Sequence, residues 1–349
     1  MTDAFLLGAG FSMALDHLNM PSTDELGAQA IELLRSVHET GARTHSEICD
    51  GLSCDHPMLV EGKPPGGNFE VWLSRLAEPQ PYRFEHEIAI AASLYQQLAN
   101  AVGDVILWAT ERACEQTVPT EPPWFEPLLR EWHDRRADVV TFNYDTLVEA
   151  RYDALEMTED GARLEYCHLN GLLPAAGDID GGSAGPPPTS FRYMKLHGSI
   201  HWYWDPMTRS ADSMADVGLP AKWRLSSEGE AWHPEDLVPG RRPVIVPPTT
   251  SKTAFFNNPV IRHQWRQAFE AMRRARRVVL IGYSLPIYDV LVGSLLDDAA
   301  RQGKSIKATV VDVDPGPVEQ RLVSLGYAVT RSFDNIGDFV SHYRSGADA

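Results

Sequence analysis

The C-terminal third of the chain constrains its fold most, because short β-branched runs alternate there with helical stretches. Arg277-Val278-Val279-Leu280-Ile281 breaks at Gly282, and a helical pattern follows from about residue 288 to 302. Ala308-Thr309-Val310-Val311-Asp312 is the next run, then a helix over 316–325 and a short final strand near 327–330. Upstream, Pro243-Val244-Ile245-Val246 reads as a buried strand and 259–276 as a helix. Apolar runs without a polar alternation have no face to give to water, so they indicate a mostly parallel sheet with helices on both faces.

The same rhythm opens the chain. Ala4-Phe5-Leu6-Leu7 breaks at Gly8-Ala9-Gly10, and an amphipathic helix is predicted over 23–37. It returns with Asp138-Val139-Val140-Thr141-Phe142 and a helix from about 146, then with Met194-Lys195-Leu196 running into His197-Gly198. Between these segments, 69–114 is alanine-rich and helical in period, with no strand signal. Residues 1–39 and 120–349 are therefore expected to form one domain, and 40–119 a mostly helical insert acting as a lid or interface. The loop-rich 177–188 and the proline-punctuated 205–242 receive no assignment.

The 349 residues carry 31 Lys and Arg against 48 Asp and Glu, a formal charge of −17. A field of that sign repels nucleic acid and anionic membrane surfaces alike. The basic run Arg273-Arg274-Ala275-Arg276-Arg277 faces an anion or forms the solvated last turn of a helix, the commoner case. The start, MTDAFLLGAGFS, has no basic leader region, and no stretch reaches the ~20 apolar residues of a membrane span. Four scattered cysteines suit a reducing compartment, so a cytoplasmic protein is expected.

Several strand ends carry polar or glycine punctuation, which is where open α/β sheets bind ligands. Gly8-Ala9-Gly10-Phe11-Ser12 lets a backbone approach a pyrophosphate, with Ser12 donating a further bond, or simply makes a tight strand-to-helix turn. Methionine at 13 replaces the third glycine of the dinucleotide fingerprint, which argues against an ordinary dehydrogenase. In Phe142-Asn143-Tyr144-Asp145, Asn143 and Asp145 project the same way if strand geometry continues; alternatively Asp145 caps the next helix. His197 is either a proton acceptor suited to neutral pH or a structural histidine. Gly282 with Ser284, and Asp312, suit ribose, phosphate or adenosine contacts, and equally ordinary turns.

Taken in order, GAGFS, FNYD, KLHGS, GYS and VDVD resemble the motif string of sirtuin-like domains, from Gly8 to Asp314. The FNYD and LHGS pair is similar to the bacterial antiphage branch that consumes NAD. The resemblance implies a Rossmann-like α/β domain without a zinc ribbon. It also implies a pyrophosphate turn at Gly8, Ala9, Gly10, Phe11 and Ser12, Asn143 orienting ribose and water, and Asp145 holding the nicotinamide carboxamide. His197 would be the catalytic histidine, with Gly282, Ser284 and Asp312 toward the second ribose and the adenosine.

Sirtuin deacylases carry paired C-x-x-C motifs after the HG, and no two cysteines here stand in that spacing. His45, Cys49, Cys54 and His56 fit no standard zinc pattern, so no metal is expected. The expected activity is an NAD glycohydrolase yielding nicotinamide and ADP-ribose, with NAD as substrate. A protein deacylase, an ADP-ribosyltransferase or a non-catalytic nucleotide-binding module are the alternatives. Such an activity needs control, so a homo-oligomer or a separately encoded partner, such as an ATPase or nuclease, is expected.

Overall fold

The computed structural model describes residues 3–16, 19–39, 68–115, 122–155, 190–204, 215–216, 242–249, 258–287, 289–302 and 307–346. Its centre is a six-stranded, wholly parallel sheet in the order β3-β2-β1-β7-β8-β9. The strands are β1 (Asp3–Leu7), β2 (Asp138–Thr141), β3 (Arg192–Lys195), β7 (Arg277–Ile281), β8 (Lys307–Val311) and β9 (Ala328–Phe333). This is the Rossmann-like doubly wound order, which reverses direction at the boundary between β1 and β7.

Alternation along each strand feeds two cores. Ala4, Leu6, Val140, Val278, Leu280 and Val310 face α7 (Pro259–Arg274), α8 (Val290–Gln302) and α9 (Pro315–Ser324), meeting Ala268, Met272, Val292, Leu296 and Leu322. Phe5, Leu7, Val139, Val279 and Ile281 face α5 (Phe125–Arg135), α6 (Leu147–Ala154) and α10 (Ile336–Arg344). There Phe5 sets its ring edge-on against Trp132 (5.4 Å) and Tyr343 (5.7 Å). Both faces are buried, as the unbroken apolar runs require.

A third cluster is helical. It joins α2 (Thr23–Glu39), α3 (Phe69–Ala77) and α4 (Glu85–Glu115) through Leu26, Ile31, Phe69, Trp72, Leu94 and Val102. Tyr144, Ile200 and Ile245 belong to the same cluster, so this layer packs on the strand ends. No described helix is long and apolar enough to cross a membrane.

Three readings of the sequence are corrected. The run at 243–246 is not part of the parallel sheet: β6 (Arg242–Ile245) pairs antiparallel with β4 (Gly198–Trp204), beside the short β5 (Ala215–Asp216). A four-residue run is too short for its pattern to reveal its partner. The basic run is not one solvated patch. Arg273 pairs with Glu270 on the helix surface (2.6 Å), while Arg277 is buried on β7 against Asp3 (2.6 Å). The chain does not finish on a strand either: α10 follows β9, capped by Asn335, whose side chain accepts from the Asp338 N–H at 2.8 Å.

Candidate functional site

The chain reverses its winding where β1 and β7 lie side by side, and their glycine-bearing ends meet there. A Cβ on Gly8 would lie 2.5 Å from the Gly282 oxygen, and one on Gly282, whose φ is +59°, would lie 2.3 Å from the Phe11 nitrogen. The N–H groups of Gly8 and Gly10 donate to Ile281 O (3.1 Å) and Gly282 O (2.9 Å). These glycines are thus required by each other's backbones, whatever ligand is present. Gly282→Ala is expected to cost at least about 1–3 kcal/mol from the left-handed backbone alone. A lowered urea midpoint checks it; an unchanged midpoint contradicts this account of the turn.

Above the glycines, β2 ends in the segment Phe142–Thr146, which is not strand. Asn143 and Asp145 nevertheless converge on one atom of α1 (Ala9–Leu15). Asn143 Nδ2 donates to Ser12 Oγ (2.8 Å) and to the Gly8 carbonyl (2.8 Å), and Ser12 Oγ donates to Asp145 Oδ2 (2.6 Å). A carbonyl oxygen only accepts, so the Gly8 contact decides which way the amide faces. Asn143 Oδ1 is left without a partner among the described residues, on a half-buried side chain. Asp145 Oδ1 accepts from Leu147 N–H (3.1 Å), so this buried carboxylate also caps α6. Ser12 thus donates its one proton to Asp145 rather than into the cavity.

Beneath this loop lies Lys195, fully buried at the end of β3. Its Nζ reaches Glu149 Oε1 at 2.8 Å and donates to the carbonyls of Asp145 and Tyr144. The lysine therefore ties β3 to the loop that carries Asn143. One residue on, the chain turns at Leu196–His197 and enters β4 through Gly198, at φ +85°. His197 is buried among Phe142 (5.3 Å between centroids), Tyr144 (6.2 Å) and Trp265 (6.5 Å). Its carbonyl accepts from Val246 N–H (2.8 Å), and the Val246 carbonyl accepts from the Tyr144 hydroxyl (2.7 Å). Burial pushes the Tyr144 phenol well above its ordinary range, and the nearby carboxylate of Glu70 pushes it further. At neutral pH it remains a proton donor to that carbonyl.

These elements enclose a cavity of about 410 Å³, within the range of small-molecule sites. Gly8, Ala9, Gly10, Ser12, Asn143, Asp145, His197, Gly282, Ser284 and Asp312 all line it. Phe11 does not. Its side chain turns into the core against Trp124 (5.8 Å) and Phe125 (6.1 Å), so it anchors the turn from behind. Asp312 accepts from Asp314 N–H (3.0 Å), the ordinary turn chemistry that was the alternative reading.

Sequence reasoning missed the opposite wall. Asp24 and Leu26 of α2, Asn68 and Glu70 at the start of α3, and Ile106 of α4 all line the cavity. Tyr283 and Asp289 also line it, joined by a 2.7 Å hydrogen bond from the Tyr283 hydroxyl. Only periodicity was readable in those helices, not which face would meet the strand ends. A second, more open depression of about 600 Å³ lies by α5 and Arg344, away from the strand ends. Two ion pairs, Arg130–Glu126 (2.8 Å) and Arg344–Glu131 (3.8 Å), lie in its lining. No group of three or more His, Cys, Asp or Glu among the described residues is placed to hold a metal. His45, Cys49, Cys54 and His56 lie outside the described residues.

No family model matches this sequence, and no curated protein matches it. Among solved structures, the chain is similar to a Sir2 complex with a p53 peptide and NAD+ (15% identity, TM-score 0.42, covering 100% of this chain and 94% of the other). It is also similar to a sirtuin from a study of sirtuin substrate affinity (14% identity, TM-score 0.40, 99% and 94% covered). A third is Sir2 with an inhibitor, 2′-O-acetyl-ADP-ribose and a deacetylated p53 peptide (15% identity, TM-score 0.40, 99% and 94%).

Proposed function

We propose that this cavity binds NAD and cleaves its nicotinamide–ribose bond, with water as the acceptor. The observation that carries the reading is Asn143. Its amide protons are both committed, to Gly8 O and Ser12 Oγ, which holds Oδ1 as a fixed acceptor in the cavity. Such an acceptor orients a ribose hydroxyl or a water without moving during the reaction.

The nicotinamide of NAD is cationic, so it departs without a proton donor. The C1′–N bond breaks, its electron pair goes to the pyridine nitrogen, and positive charge grows on the ribosyl carbon, as in glycoside cleavage. Water then forms the new C1′–O bond and gives up a proton. His197 is the base suited to take it near neutral pH. Asp145 secures the Ser12–Asn143 arrangement from behind. The products are nicotinamide, ADP-ribose and a proton.

The FNYD and LHGS pair supports placing this activity in antiphage defence, where depletion of NAD stops the host cell. Self-assembly or a separately encoded partner would then hold it in check. The test is nicotinamide release from NAD by purified protein in each of its assembly states. Release that Asn143→Ala and His197→Ala both abolish is the expected result. No release in any state, or release that both variants leave unchanged, rejects the reading.

A further inference from the structure

We propose that Trp265, on α7, is a positioning residue for His197: its indole N–H fixes the peptide group that leads into the histidine, and its ring backs the imidazole. The proposal rests on NAD cleavage with His197 as the base. It gives α7 a part in that reaction beyond covering the sheet.

His197 stands just past β3, the strand at one end of the parallel sheet, which pairs within that sheet with β2 alone. The end of such a strand is held by a neighbouring strand on one side only. On that side Leu196 N–H donates to the Thr141 carbonyl (3.0 Å). On the other side a helix takes the place of a strand. Gln264 of α7 is buried, and its Oε1 accepts from Lys195 N–H at 3.2 Å. The next residue, Trp265, donates from Nε1 to the Leu196 carbonyl at 3.0 Å. Two consecutive side chains of α7 thus hold two consecutive residues of the segment that leads into His197.

The same indole also reaches the imidazole. The two ring centroids are 6.5 Å apart and the planes meet at 37°. Phe142 (5.3 Å) and Tyr144 (6.2 Å) lie against His197 as well, so rings from α7 and from the end of β2 bracket the side chain. Beyond the histidine, its carbonyl accepts from Val246 N–H (2.8 Å), and Gly198 is set at φ +85° against the Val244 oxygen. The backbone is therefore fixed on both sides of His197, and Trp265 secures the carbonyl immediately before it. Trp265 lies outside the cavity lining, so it acts through His197 and not on NAD. A misplacement of about 1 Å in a catalytic group costs about 100-fold in rate, and it need not weaken substrate binding. Loosening this anchor should therefore appear in kcat rather than in KM.

The experiment measures steady-state nicotinamide release by wild type, Trp265→Phe and Trp265→Leu, with thermal midpoints recorded alongside. Trp265→Phe keeps a ring and loses the N–H; it is expected to lower kcat about 10-fold, with KM for NAD within about threefold. Trp265→Leu loses both, and about 100-fold in kcat is expected. The second measurement needs no turnover. The 13Cε1–1H signal of His197, assigned by its loss in His197→Ala, should show no microsecond-to-millisecond exchange in nucleotide-free wild type and should show it in Trp265→Phe. Trp265→Phe with kcat within twofold of wild type overturns the role of Trp265 and leaves NAD cleavage standing. So does a loss of kcat and KM together with a lowered midpoint, or an exchange-broadened His197 ring in wild type. No nicotinamide release by wild type overturns the reaction itself, while the ring signal still decides whether Trp265 holds His197.

Discussion

Asn143→Ala is expected to lower nicotinamide release from NAD by about 100- to 1,000-fold while the protein stays folded. The activity loss follows from geometry. The two amide protons are anchored on atoms of the first βα turn, so the side chain reads the position of β1 and presents Oδ1 accordingly. Alanine removes the acceptor, and a misplaced ribose or water reacts slowly even when NAD still binds. The stability loss is smaller, on the order of 1–2 kcal/mol, because Asn143 is half-buried and water can reach the partners it leaves. Asn143→Asp should be worse for folding than alanine, since a carboxylate would face the Gly8 carbonyl with no proton between them. Nicotinamide release and a urea midpoint on the same samples separate the two effects. An alanine variant as active as wild type would remove Asn143 from the mechanism.

Lys195→Met is expected to destabilise the chain by about 3–5 kcal/mol, because it leaves the Glu149 carboxylate buried and uncompensated. Both side chains are almost fully buried, at 0% and 1% exposure. The lysine also loses its hold on the Asp145 and Tyr144 carbonyls, so the Asn143 loop should loosen even in molecules that remain folded. The pair is therefore a structural device placed directly under the site. The double variant Lys195→Met/Glu149→Leu should regain much of the stability, since a buried ion pair exchanged for apolar side chains is often neutral. It should regain less of the activity, because the methionine does not bind those carbonyls. Chemical denaturation of the single and double variants checks the first point. A single variant as stable as wild type would contradict it.

The sheet was readable because each strand is a continuous apolar run ending in glycine or a polar residue, so Leu7–Gly8, Thr141–Asn143 and Ile281–Gly282 announce both the strand and the end that lines the cavity. What joins those ends was not readable. Ser12 and Asp145 are 133 positions apart, and nothing local in either motif says that the serine proton belongs to the aspartate. The purpose of Lys195 was hidden for the same reason, since its partner Glu149 lies on another element. The core packing of Phe11 was hidden too, because it sits inside the glycine-turn motif, although helical spacing turns its ring toward Trp124 and Trp132. The final helix did leave a signal: Asn335 as cap, with Ile336, Phe339, Val340 and Tyr343 on one face. The contribution of the helical layer to the cavity left none, because it depends on which helix face meets the strand ends.

The most direct test of the central claim is cleavage of NAD in 18O-labelled water by the purified protein, with no acceptor protein or peptide present. The account predicts free nicotinamide and ADP-ribose carrying one 18O at the anomeric position, formed by wild type and lost in His197→Ala. NAD recovered intact under every assembly condition, or nicotinamide released only when an acylated peptide is supplied, would contradict it.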